Sequence, residues 1–326
     1  MGMTDGDLRF LASAKRLGLP GGSACTLGRQ FLFLSQKQVD RTLQQYNLKS
    51  FTLPPGGTAF ADEEMLPTLG FEKVDIMDAS DFEGASVIHD LNRPIPREMH
   101  ELYDLVLDCG TLEHIFNFPT ALESIMRITK VGGHILLSIP ANNHCGHGFY
   151  QFSPELFFRV FSPDRGFELL RIYMNTEGPF GRWHNPGQFY HIADPASVHG
   201  RVQLLNSKPS LVMIHARKIE HLPENPNAIQ QSDYVSIWAE DPSKRSARQD
   251  GPLKAFVRAN FPVVVSAQIG KGLKYIRQKR EGRRWRTRAR LSNRELYVPV
   301  KRWDITTVQA LEQTSGADGK GKYQTA

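Results

Sequence analysis

The chain has 326 residues, with 40 Lys and Arg against 34 Asp and Glu, 40% hydrophobic residues and 10% aromatics, which is enough apolar matter for a core and too much for wholesale disorder. The formal charge of +6 is unevenly placed: residues 271–302 hold 13 Lys and Arg and two acids, so the other 294 residues carry a net of −5. That distribution excludes a protein that is basic throughout, and no apolar run of about 18 residues is present to suggest a spanning helix. From residue 23 to 174, short apolar runs alternate with helical patterns, as in a parallel α/β sheet. Strands are expected over 24–27, 73–77, 85–89, 105–108 and 134–139, and helices over 36–46, 61–69 and 119–129. In the last of these, Leu122, Ile125 and Met126 fall at helical spacing, and Gly132 and Gly133 read as the helix stop. Ser153 and Pro154 read as N-cap and first residue of a helix that puts Leu156, Phe157, Val160 and Phe161 on one face. Beyond Met174, a Gly/Pro/His-rich loop over 178–191 precedes two strand-like runs, 202–205 and 211–216, which fit an antiparallel hairpin.

The expected fold class is therefore α/β: a Rossmann-like, doubly wound, mostly parallel sheet with an antiparallel hairpin at its end, plus a basic C-terminal extension. The expected organisation is one domain over 1–220, a linker or irregular segment over 221–254, the basic extension over 255–313, and a disordered tail over 314–326. Cys25, Cys109 and Cys145 are odd in number and widely spaced, with no C-x-x-C pair, which favours a reducing cytoplasmic compartment. The N-terminus lacks an uninterrupted apolar stretch of the signal-peptide kind. The basic run mixes its cations with Tyr275, Trp285, Tyr297 and Trp303, a combination suited to phosphates and to stacking. The run could equally be a solvated helix face or a flexible tail; among partners, an anionic membrane or glycolipid surface comes first for residues 271–302, where the protein would be held peripherally. Nucleic acid comes second, because no DNA- or RNA-binding module is recognisable.

Most of the information lies between Tyr103 and Phe152. Asp104 opens an apolar strand; Thr111, Leu112, Glu113 and His114 follow it; then come a helix, Gly132-Gly133, a second strand and Pro140. This order resembles the second half of a class I S-adenosylmethionine-dependent methyltransferase, whose fourth strand leads into a segment of the form D-x-V-x-x-x-x-x-L-E-H. The first half departs from the family. After the first strand a G-x-G-x-G loop is usual, yet only Gly28 matches, with Arg29, Gln30 and Leu32 where later loop positions stand.

The resemblance implies a cofactor, S-adenosyl-L-methionine, and a site at the carboxyl ends of the strands. Gly28 and the Asp108, Gly110 and Thr111 turn would hold the methionine part, Asp78 the ribose, and Asp90 with the Leu91 amide the adenine, with Asp75 as the competitor of Asp78. Each of these acids could equally serve as a turn or capping residue. Methyl transfer to oxygen, or second to nitrogen, of a small-molecule or saccharide-type acceptor needs positioning and often a general base. Glu113, His114, His144 and His147 are the catalytic candidates. Their residue types also suit a divalent ion, but the spacing is no recognised ligand motif and no metal is expected. Phe149 and Tyr150 would wall the acceptor pocket, and Trp183, His184 and His191 would form either a lid or a surface loop. Two rival readings remain: a methyltransferase-like scaffold that binds or assembles without turnover, and an RNA methyltransferase that grips its substrate through the basic segment.

Overall fold

The computed structural model describes residues 2–176, 187–224, 229–239 and 289–300. Contacts divide the chain into two compact units, one of residues 1–192, 207–229 and 298–326 and one of residues 193–206 and 230–297. The first is built on β1 (Gly2–Met3), α1 (Asp5–Arg16), β2 (Gly22–Leu27), β3 (Phe31–Leu32), α2 (Gln36–Gln45), a π-helical turn (Ala61–Met65) running into α3 (Leu66–Thr68), and β4 (Phe71–Asp78). It continues through β5 (Val87–Ile88), β6 (Tyr103–Asp108), α4 (Phe118–Ile128), β7 (Thr129–Asn142), α5 (Pro154–Val160), β8 (Phe167–Thr176), β9 (Gln188–Ile192) and β10 (Ser210–Lys218). The helix α6 (Ser232–Ala239) lies in the second unit, and β11 (Tyr297–Pro299) completes the elements.

The main sheet has the order β11-β9-β8-β10-β7-β6-β2-β4-β5. Its strands β5, β4, β2, β6 and β7 are mutually parallel. Numbered by themselves they run 3-2-1-4-5, the doubly wound order, with the switch point between β2 and β6. The central strands are apolar on both faces because both faces are covered. On one face Ala24, Leu105, Leu107 and Leu136 pack into a core with Leu8 and Leu11 of α1, Val39 and Leu43 of α2, and Met65 and Leu66. On the other, α4 buries Leu122, Ile125 and Met126, and a chain of rings runs from Phe118 through Phe152, Phe157 and Phe161 to Phe167.

The antiparallel part of the sheet differs in its partners from the expected hairpin. Residues 202–205 form no strand; β10 is inserted between β7 and β8 and runs antiparallel to both. Gly132 and Gly133 do not stop the helix, which ends at Ile128 and passes directly into β7. They form a bulge, because Tyr103 pairs with Thr129 and Leu105 already with His134. A Cβ on Gly133 would stand 2.9 Å from the carbonyl oxygens of Lys130 and Tyr103, so this bulge needs glycine. The strand expected at 85–89 shortens to Val87–Ile88. The segment read as irregular over 221–254 carries α6 in its described part. Residues 177–186 and 240–288 lie outside the described residues, as does 301–326; most of the basic extension and the whole tail therefore do too.

Helix α1 was not expected from the sequence. Its start is fixed by a capping box in which the backbone amide and hydroxyl of Thr4 both donate to Asp7 Oδ2 at 2.7 Å. The other carboxylate oxygen of Asp7 accepts from Ser138 of β7 at 2.6 Å. At the far end of α1, Ser13 accepts from Arg171 of β8 at 2.9 Å, and Arg171 donates to His215 Nδ1 at 2.8 Å. His215 must then donate through Nε2 to His134 Nδ1, 2.7 Å away, so both rings are neutral. Burial agrees, holding His134 down at about 4 and His215 well below the usual histidine range. Helix α1 is thus docked on the sheet by polar contacts as well as apolar ones.

Candidate active site

Because the five parallel strands share one direction, Gly28, Asp78, Asp90, Asp108 and the residues after β7 lie at one end of the sheet. Gly28 adopts φ +62°, which favours glycine, and its amide donates to the Met77 carbonyl at 2.8 Å. The loop beyond it has no further glycine and is held by side chains. Gln30 is fully buried and its Nε2 donates to the Leu27 carbonyl at 2.6 Å. Arg29 lies over the Phe60 ring at 3.7 Å and pairs with Asp62 at 3.2 Å and with Glu63. Phe31 and Leu32 then pair in parallel with Gly2 and Met3, so the N-terminal segment braces this loop.

Asp78 closes β4, half-buried. Its Oδ1 accepts from the Ala79 amide at 2.6 Å, and its carbonyl accepts from His89; among the described residues Oδ2 has no protein partner. Asp75 is occupied elsewhere, accepting from the Tyr103 hydroxyl at 3.0 Å and from Ser86 while paired with Lys73. Of the two acids, Asp75 is thus engaged through both carboxylate oxygens and Asp78 through Oδ1. Asp90 forms a turn: its Oδ1 accepts from the Asn92 amide and side chain, both at 2.9 Å, and these bonds hold the carboxyl below the usual range. Leu91 is buried beside it.

At the end of β6, Asp108 is fully buried and organises the next turn. Its two oxygens accept from the Thr111 amide at 2.8 Å and the Leu112 amide at 3.2 Å. Burial pushes the carboxyl up to about 6 against the lowering effect of these bonds. Gly110 takes φ +111° within the turn, and Thr111 Oγ1 donates at 2.6 Å to the same Leu27 carbonyl that Gln30 reaches. One carbonyl thus ties the loop after β2 to the turn after β6.

That turn leads into a single 3-10 turn, Leu112–His114, which buries Glu113 and leaves His114 half-exposed. His147 Nε2 is 3.3 Å from Glu113 Oε1, and His114 Nε2 is 3.9 Å from the same oxygen. Burial, followed by the neighbouring His147, holds the His114 ring below the usual histidine range. His144 stands behind, its ring 5.7 Å from that of His147. The loop after β7 is pinned to Glu113 through the backbone: the Glu113 carbonyl accepts from Phe149 at 2.8 Å and Tyr150 at 3.2 Å. Gly148 packs so closely that a Cβ would stand 2.9 Å from both Glu113 Cγ and its carbonyl oxygen.

The four catalytic candidates therefore meet in one cluster. Phe116 joins them unforeseen: its ring meets that of Phe149 edge-on at 6.2 Å, both are exposed, and its carbonyl accepts from the Tyr150 hydroxyl at 2.7 Å. Its place two residues after His114 was the only signal. His191 belongs to β9 and packs against Tyr173; Trp183 and His184 lie outside the described residues. No helix among the described residues is long and apolar enough to cross a membrane.

No protein-family model and no curated protein matches the sequence. Solved structures do match at low similarity. TehB from Haemophilus influenzae is 15% identical with a TM-score of 0.34, over 64% of this chain and 61% of that one. The 1,6-didemethyltoxoflavin-N1-methyltransferase of Burkholderia thailandensis is 13% identical with a TM-score of 0.34, over 65% and 79%. The branched-chain polyamine synthase of Thermus thermophilus is 11% identical with a TM-score of 0.34, over 69% and 59%. This chain thus spans about three fifths of TehB and of the polyamine synthase. Those scores describe a distant likeness, and the fold rests on the strand order: a Rossmann-like, doubly wound, mostly parallel α/β sheet.

Proposed function

We propose that the protein transfers a methyl group from S-adenosylmethionine to an oxygen of a small-molecule or saccharide-type acceptor, with nitrogen as the second choice. The observation that carries this reading is the placement of a half-buried carboxylate with an oxygen to offer, Asp78, and a buried Glu113 beneath His147 at the same end of the sheet. The residues suit the cofactor in kind. Asp78 would accept from ribose hydroxyls, Gly28 and the Asp108–Thr111 turn would border the methionine part, and Asp90 with Leu91 would meet the adenine. The cofactor supplies the electrophilic methyl group when bound.

The protein's share is positioning and proton transfer. His147, 3.3 Å from Glu113 through Nε2, is the candidate base for the proton of an acceptor hydroxyl. Phe116 and Phe149 present exposed faces beside the cluster on which an acceptor ring can lie. Calorimetric titration with S-adenosylhomocysteine tests the first half of the reading: micromolar binding is expected, and no binding at millimolar ligand would overturn it. A second reading, a scaffold without turnover, is favoured by one observation, the Gln30 side chain folded onto the Leu27 carbonyl where the family has glycine. Transfer of a labelled methyl group from S-adenosylmethionine to an acceptor separates the two.

A further inference from the structure

We infer that Glu113, His114 and His147 form a site for a divalent cation, whose open positions face the acceptor. The three residues each offer one ligand atom, and these atoms lie within 4.8 Å of one another. Two separations are shorter, 3.3 and 3.9 Å from Glu113 Oε1 to the two Nε2 atoms. Ligands at about 2.1 Å from one ion stand roughly 3.0 Å apart in octahedral and roughly 3.4 Å apart in tetrahedral geometry. The 3.3 Å separation already matches a tetrahedral sphere, the 3.9 Å one exceeds it by about 0.5 Å, and the two imidazoles must also draw together; both histidines are half-exposed, so rotations of χ1 and χ2 can bring their nitrogens in.

The backbone around the cluster is rigid where a site needs it to be. Glu113 is held from below by the Asp108 turn and from the side by the amides of Phe149 and Tyr150, which fixes His147 relative to it. Gly148 permits that close approach. The donor types bear on the choice of ion. Two imidazoles around one carboxylate form a nitrogen and oxygen donor set suited to borderline ions such as Mn²⁺, Fe²⁺, Co²⁺ or Zn²⁺. Two histidines and one carboxylate leave at least one position open.

The inference deepens the proposed function and rests on it for the identity of the acceptor. With an ion present, His147 is a ligand rather than the base. An acceptor hydroxyl on the open position becomes more acidic, and its proton passes to water. The acceptor class this favours is a hydroxyl compound, above all one with two adjacent hydroxyls that can chelate.

The test uses the full chain, stripped with a chelator and titrated with MnCl2 and separately with ZnCl2, followed by calorimetry and, for manganese, by loss of the free-ion electron paramagnetic resonance signal. One ion per chain is expected. His147→Gln and Glu113→Gln should each weaken binding at least about tenfold, whereas His221→Gln, at an exposed histidine paired with Glu101, should leave it unchanged. Because Glu113 is buried, His147→Gln serves as the deciding variant if Glu113→Gln unfolds. Absence of saturable binding of either ion, or equal binding by wild type and a folded His147→Gln, would overturn the site. Titration of the stripped protein with S-adenosylhomocysteine reads the cofactor half separately, so failure of the metal site and failure of the methyltransferase reading give different results.

Discussion

Asp108 offers a sharp test of how the site is built. Its carboxyl has no solvent contact and its pKa stands at about 6 against an ordinary value of 3.8, because burial outweighs the amides of Thr111 and Leu112. A folded-state pKa above the unfolded one means that, between roughly pH 4 and pH 6, the folded chain binds a proton that the unfolded chain has released. Stability from this group is therefore full below about pH 4, falls as pH rises through that window, and stays low above it. The gap of about 2 pK units corresponds to about 3 kcal/mol. Asp108→Asn removes the titration. It also removes one acceptor, at a cost of about 1–3 kcal/mol at every pH. Urea unfolding of both proteins at several pH values from about 4 to 7.5 should show the wild type's advantage shrinking by about 3 kcal/mol as pH rises, and at neutral pH the two costs nearly cancel. Parallel stability curves, or a gap that widens with pH, would refute the argument that desolvation dominates this carboxylate.

Lys218 is buried at the end of β10, and its ammonium donates to the carbonyls of Met126 at 3.1 Å and Thr129 at 2.8 Å while pairing with Glu101 at 3.0 Å. Lys218→Met should cost about 2–4 kcal/mol in chemical unfolding, since two buried carbonyls and a carboxylate lose their donor. Asp7→Ala removes the cap of α1 and the acceptor of Ser138 together, so about 2–4 kcal/mol of stability should be lost in the same assay. Gly148→Ala drives a methyl group against the Glu113 backbone; it should destabilise by about 1–3 kcal/mol and weaken manganese binding while sparing S-adenosylhomocysteine. Asp78→Ala should do the opposite, lowering affinity for S-adenosylhomocysteine at least about tenfold with an unfolding midpoint near that of wild type, because among the described residues its carboxylate bonds only the Ala79 amide.

The sheet was legible because its central strands are short apolar runs flanked by turn residues, and the helices α2, α4 and α5 carry either clear caps or apolar periodicity. Helix α1 was hidden by its own polarity: Asp5, Asp7 and Ser13 are all buried, since they bond Thr42, Ser138 and Arg171 across more than 30 residues of sequence. Its one local signal was the capping box at Thr4 and Asp7. The Gly132-Gly133 pair misled for a different reason, since a bulge and a helix stop both call for glycine and only pairing with Tyr103 distinguishes them. At the site, the Glu113 and histidine residue types were readable, but their convergence depends on the loop after β7 folding back onto the Glu113 carbonyl. The closeness of Glu113 Oε1 to two imidazoles is a tertiary fact that no spacing in the sequence encodes.

The loop after β2 bears on what glycine does in such a site. A glycine-rich loop lets the backbone approach a ligand because no Cβ intervenes, and this chain keeps only Gly28. What replaces the others is a set of side-chain ties, Gln30 to Leu27, Arg29 to Asp62 and Phe60, and Phe31 to the N-terminal strand. Of these, only the Arg29 contacts reach residues 60–63. The Leu27 carbonyl then serves two masters, Gln30 Nε2 and Thr111 Oγ1, at 2.6 Å each, so the rigidity of the loop is shared with the turn that carries Glu113. Side chains thus hold this loop where glycines would leave the backbone bare, and the shared Leu27 carbonyl ties it to the turn that carries Glu113.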